Sequence, residues 1–166
     1  MLLTHNGCSF NIFVDPTHLT PGVHCSKISR FDRKSSWRGP VFRILITILK
    51  PVELTNQPAS IAFDGMHFVL GHIEWSFIDV PLGATWIEGT FKVFGFDTPC
   101  RFYVSIVQLL QRKRPVVSDS AFVLARPSSR EFSFRVREGV TMELIVENFW
   151  SNGRGSQQST DAFVEL

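Results

Sequence analysis

The feature that most constrains this chain is a period of two. After Arg38-Gly39-Pro40, the residues Phe42, Ile44, Ile46 and Ile48 alternate with Val41, Arg43, Leu45 and Thr47, and Lys50-Pro51 ends the run. Successive side chains of a strand leave the backbone on opposite sides, so such a run builds one apolar face of a sheet. The same rhythm returns in Phe10, Ile12 and Val14 before Asp15-Pro16. It returns again in Ile73, Trp75 and Phe77, which alternate with Glu74, Ser76 and Ile78. No window shows an apolar stripe of period 3.6 and helical length. The fold class read from the pattern is all-β.

Turn chemistry divides the runs. Leu19-Thr20-Pro21-Gly22 precedes a strand from Val23 to Ser29. Pro81-Leu82-Gly83 closes one strand and Trp86 opens the next, because proline presets φ and cannot donate to a ladder while glycine tolerates positive φ. Further strands are expected at 61–63, 66–70, 74–80, 86–94, 101–110, 121–125, 131–136, 141–148 and 162–165. Turns at Asp64-Gly65, Gly95-Phe96-Asp97, Pro127-Ser128-Ser129 and Glu138-Gly139 separate several of them, at the spacing of a sandwich or jelly roll. The stretch around Asn56-Gln57-Pro58 reads as a linker. The expected organisation is a first β segment over 1–52 with about three strands, too few for a stable sandwich. A linker over 53–60 and a jelly-roll sandwich over 61–166 follow, the latter short of its last strand. In that sandwich, Ile73, Trp75 and Phe77 are expected on the core face, with Glu74 and Ser76 in water.

Composition narrows the function classes. A chain of 166 residues can bury about 70% of the surface of its unfolded form, so it needs no disulfide or metal to hold a core. Only 19% of its residues are charged, below the roughly 25% usual for soluble domains, and 16 are phenylalanine. Such a chain exposes sticky surface. A dispersed net charge of +2 gives no footprint for nucleic acid or a membrane surface. No apolar run reaches membrane-spanning length, and the start Met1-Leu2-Leu3-Thr4 lacks the basic and apolar regions of a secretion signal. Cys8, Cys25 and Cys100 are odd in number and far apart, which reads as reduced thiols in the cytoplasm.

Residue types for chemistry are present, but their spacing is poor. His24, Cys25 and Asp32 could supply a nucleophile, a base and an orienting carboxylate, yet neighbours on a strand point to opposite faces, so His24 does not serve Cys25. His5 with Cys8, His18 with His24, and His67 with His72 are loose pairs without the converging partners of a metal centre. Asp79 and Glu88 flank a turn and are expected to face solvent rather than do acid–base work. Gln111-Arg112-Lys113-Arg114-Pro115 is the one dense basic cluster. It reads as a localisation signal, an anionic contact, or a solvated strand exit that blunts a sheet edge, and the last explains it best. Trp37, Trp75 and Trp150 could stack on sugar rings, though a tryptophan in a sandwich more often packs the core. Carbohydrate is therefore not an expected ligand. The expected catalytic, cofactor-binding and metal-binding residues are none.

Several blocks in one order resemble a known family. Asp15-Pro16, Gly22-Val23-His24 and Gly39-Pro40-Val41-Phe42-Arg43 resemble the end of an immunoglobulin-like domain of tripeptidyl peptidase II, a subtilisin-like serine exopeptidase. Gly71-His72-Ile73-Glu74, Val80-Pro81-Leu82-Gly83-Ala84-Thr85-Trp86 and Phe149-Trp150-Ser151 resemble its next domain, a galactose-binding-like jelly roll. The likeness runs from about Phe10 to the end and is closest to plant-type sequences. It implies a noncatalytic region following the catalytic domain, since the family's Asp, His and Ser triad lies in a subtilisin-like domain upstream. Leu70, Trp75, Ser76 and Arg30 depart from the family's pattern, which weakens any charge-mediated contact of the parent domain. The resemblance implies a scaffold for a peptidase that releases tripeptides from peptide N-termini. Its partners would be protein: the parent's own subunits or its catalytic domain. The other reading is an independent truncated module that binds a protein through open sheet edges.

Overall fold

The computed structural model describes residues 10–96, 98–149 and 160–166. The chain divides into two compact units, Met1–Lys50 and Pro51–Leu166.

In the first unit, β1 (Gly22–Phe31) and β2 (Pro40–Lys50) form an antiparallel pair. Register sets Ile28 opposite Ile44, but Ser26 opposite Ile46 and His24 opposite Ile48, so the apolar face legible in β2 meets an apolar partner on β1 only at Ile28. A 3-10 turn, Ser36–Arg38, joins them, and Gly39 follows it at φ +88°, a conformation that favours glycine. The Lys50 ammonium donates to the carbonyls of Pro16 and Thr17, each at 3.2 Å, which ties the preceding loop to the pair. Residues 10–14 form no strand, contrary to the alternation. Among the described residues only β1 and β2 pair here, so the segment has no ladder to join; Phe10 instead stacks on Phe42 at 6.0 Å. No described residue of this unit is buried.

The second unit is a two-layer sandwich. β3 (Val52–Glu53), β5 (Ile73–Asp79), β10 (Thr141–Asn148), β7 (Cys100–Gln108) and β8 (Val116–Leu124) form one sheet in that order. β4 (Ala62–Phe68), β11 (Thr160–Glu165), β6 (Trp86–Phe94) and β9 (Ser128–Arg135) form the other. The chain crosses repeatedly from one sheet to the other, as a jelly roll does. Only β3 runs parallel to its neighbour, β5. Phe102 of the first sheet meets Phe68 and Phe91 of the second edge-on, at 5.4 and 5.2 Å, and all three are fully buried. Burying a phenylalanine contributes about 1.5–3 kcal/mol, so these rings clamp the layers.

Three expectations change. The segment 53–60, expected as a linker, starts in β3, which belongs to the sheet of the second unit. Asp64-Gly65 is a bulge inside one continuous strand, not a turn between two: Phe63 faces Val164 while Met66 faces Ala162, and Gly65 takes φ +67°. The face of β5 is inverted at Trp75, although Phe77 on the same side is buried as expected. Its apolar residues lie on both sides, so its own alternation is ambiguous, and the register with β10 decides. Met142 and Leu144, both buried, sit opposite Ile78 and Ser76, which places Ile78 and Ser76 inward and leaves Trp75 outward and 55% exposed. In the second sheet β11 lies between β4 and β6.

Candidate interaction surfaces

The residue types that suggested chemistry do not converge. His24 and Cys25 face different sides of β1, and the His24 ring pairs through Nε2 with the carbonyl of Thr20 at 2.7 Å. Asp32 accepts the N–H of Lys34 just after the strand. His18 is exposed, while His5 and Cys8 lie outside the described residues. His67 Nδ1 pairs with Asp161 Oδ1 at 2.5 Å across β4 and β11, both side chains well exposed. His72 Nδ1 approaches the carbonyl of His67 at 2.9 Å, and its Nε2 lies 3.4 Å from Glu74. These are local pairs at one end of the sandwich. Among the described residues no group of three His, Cys, Asp or Glu side chains is arranged to hold a metal ion.

Asp79 is half-buried rather than solvated, since its carboxylate accepts the hydroxyl of Thr141 at 3.0 Å, and Glu88 is exposed on β6. The basic cluster forms the turn from β7 to β8, with Arg112 at φ +55°. Trp37 is 80% exposed, under the Arg38 guanidinium at 5.0 Å, and Trp150 lies outside the described residues. Trp75 stands on the outer side of the five-stranded sheet beside Ile145. It is the one of these three tryptophans that the sequence placed in the core, and the structure puts it on the surface.

Two concavities and one polar lock were not anticipated. An apolar pocket of about 380 Å³ opens at the end of the sandwich beneath the Pro81-Leu82-Gly83 turn, lined by Leu54, Ile78, Val80, Trp86 and Met142 among others. Gly83 N–H donates to the Glu138 carboxylate, which fastens that turn to the loop after β9. A shallower depression of about 770 Å³ gathers Glu88, Glu131 and Glu165 around Gly89 and Ser120. The lock is Gln108, fully buried at the end of β7. Its amide donates to the carbonyls of Arg137 and Val140 at 2.9 and 3.1 Å, and its oxygen accepts the N–H of Arg137 at 2.7 Å. A polar residue closing an apolar face is the only sequence signal for it. Burial also holds the Cys100 thiol up at about 11.

These surfaces sit on a fold with recognisable relatives. Residues 1–49 match the family profile "Tripeptidyl-peptidase II, first Ig-like domain", and residues 68–154 match "TPPII, galactose-binding domain-like". The chain belongs to the tripeptidyl-peptidase II family. It is 48% identical to tripeptidyl-peptidase 2 of Arabidopsis thaliana and 41% identical to that of Oryza sativa, over its whole length in both cases. Against the Drosophila melanogaster enzyme identity falls to 30%, over 90% of the chain. The chain spans 12% of the length of each plant relative. A crystal structure of tripeptidyl peptidase 2 superposes on 92% of the chain with a TM-score of 0.75 at 25% identity, the chain covering 13% of that structure. In tripeptidyl-peptidase II terms, the β1–β2 pair belongs to the Ig-like part and the sandwich to the galactose-binding-like part.

Proposed function

We infer that this region is a noncatalytic scaffold of a tripeptidyl-peptidase II homologue, positioning the parent's catalytic domain or its subunits. The observation that carries the reading is the double match, in order, to the Ig-like and galactose-binding-like regions. The separation of His24, Cys25 and Asp32 supports it: the His24 ring pairs with the carbonyl of Thr20 and Asp32 with the N–H of Lys34. On this reading the parent releases tripeptides from peptide N-termini by serine chemistry, and this chain supplies none of the reacting groups. The free thiols Cys25 and Cys100 favour a reducing, cytosolic setting.

The test is made in a full-length homologue whose region equivalent to residues 1–166 is replaced by a flexible Gly/Ser linker. Loss of the assembled mass on size-exclusion chromatography, together with loss of tripeptide release from a chromogenic substrate, is the expected result. Unchanged mass and unchanged rate would sink the scaffold reading.

A further inference from the structure

Of the four edges of the sandwich, three are protected. β3 is two residues long, β4 is bulged at Gly65, and β9 carries Arg130, Glu131 and Arg135. Short strands, bulges and charges are the usual means of preventing a sheet from recruiting another strand. β8 has none of them along its length: the basic cluster and Pro115, expected to blunt a sheet edge, lie in the turn before it. Its nine residues hold no proline, no basic residue and a single charge, Asp119, and they pair with β7 without a register shift. No backbone hydrogen bond joins β8 to β9 across the corner of the sandwich. Val117 and Val123 stand 61% and 63% exposed on its outer side.

The charge along this edge has a pattern. Arg112, Lys113 and Arg114 precede the strand and Arg126 follows it, none in an ion pair among the described residues. The middle is acidic, because Asp119 lies there and Ser120 borders the depression that contains Glu131. A second copy laid antiparallel would set the basic turn of one chain against Arg126 of the other, and a parallel copy would set each basic end against itself. Like charges brought together oppose both arrangements, so the edge disfavours its own kind.

We propose that β8 is an open docking edge for an extended segment of another protein or domain, with acidic residues at both ends and β-branched residues between. The segment would add a sixth strand to the five-stranded sheet. Main-chain hydrogen bonds would hold it, Val117 and Val123 would take its alternate side chains, and the basic ends would fix its position. Nine residues at about 3.4 Å each span about 30 Å, which sets the separation of the two acidic ends. This docking role stands apart from the scaffold role and does not depend on it.

The probe is a fluorescein-labelled peptide of alternating valine and threonine with two aspartates at each end, titrated with the 166-residue chain and read by anisotropy. Binding at least tenfold tighter than that of the same peptide with lysine ends, and weakening with added salt, is expected. Val117→Lys with Val123→Lys should reduce binding at least tenfold, while Arg114→Glu with Arg126→Glu should reverse the preference for acidic ends. Both pairs change exposed side chains, and an unchanged far-UV circular dichroism spectrum qualifies each variant. No binding of either peptide, equal binding of both, indifference to the valine substitutions, or dimerisation of the chain through β8 would each overturn the proposal.

Discussion

The two units use the same alternating sequence grammar and reach different ends. β2 of the first unit is as regular as any strand in the second, yet Ile44, Ile46 and Ile48 are only half-buried and Leu45 is 79% exposed. In the second unit Phe68, Phe91, Phe102, Val104 and Ile106 are fully removed from water. Alternation determines which side of a strand is apolar. It does not supply the layer that covers that side, and the hydrophobic contribution comes only with the layer.

The widest gap between the units should appear in core truncations. Phe102→Ala should cost about 3–5 kcal/mol, measured by urea denaturation followed by tryptophan fluorescence, because it removes a ring packed against two others. Ile46→Ala in the half-buried pair should cost under about 1 kcal/mol, in proportion to the area it covers. Equal costs would erase the contrast. The glycines sharpen it further. A methyl at Gly89 would lie 2.5 Å from Phe132 Cζ and 2.7 Å from Leu166 Cδ2, so Gly89→Ala should destabilise by about 1–3 kcal/mol through overpacking. Gly39→Ala meets nothing within 4 Å and should cost about 1–3 kcal/mol from its backbone alone, since φ +88° with ψ −174° is a conformation kept almost entirely to glycine.

The thiols extend the comparison to reactivity. Cys25 should react with maleimide in the native protein, while Cys100 should react only on unfolding, as mass spectrometry of labelled peptides would show. The Cys100 thiol titrates at about 11 in the fold against 9.0 in the reference state. Its stabilising effect is therefore complete below pH 9 and is lost as the pH rises toward 11, and a midpoint of unfolding that held constant through that window would contradict this. The smallest effect belongs to the exposed His67–Asp161 pair. Removing it with Asp161→Asn should change stability by less than about 1 kcal/mol, and a larger loss in the same urea assay would show that the pair holds β4 to β11.

Strand content was legible because it depends on neighbours in sequence. The runs at 86–94 and 141–148 coincide with β6 and β10, and the Pro81-Leu82-Gly83 turn falls between β5 and β6. Features that depend on partners distant in sequence were not legible. The alternation alone points Trp75 to the core because β5 is apolar on both sides, and only the pairing of Ile78 and Ser76 with Met142 and Leu144, some 65 residues away, settles its orientation. Asp64-Gly65 has turn composition, but pairing with β11 keeps the strand running through it as a bulge. Gln108 falls inside the expected strand 101–110 and its role as a lock is not legible, because its three hydrogen bonds go to the loop after β9. The surfaces depend on the same pairings. The exposed β8 edge follows from strand order, and the apolar pocket from the approach of residues 54–59 to the Pro81 turn.

The interior position of β11 has a consequence in time. Among the described residues β4 has no ladder partner other than β11, and β6 has the same strand as its second neighbour. As the chain leaves a ribosome, β6 can find β9 and β5 can find β10, but β4 must wait, unpaired, for roughly ninety further residues until Thr160–Glu165 emerges. The second layer is thus not closed between β4 and β6 until β11 arrives. Pairings of such long sequence separation are slow to form, and until they do the inner face of Phe68 and Phe91 stays open to water and to chaperones.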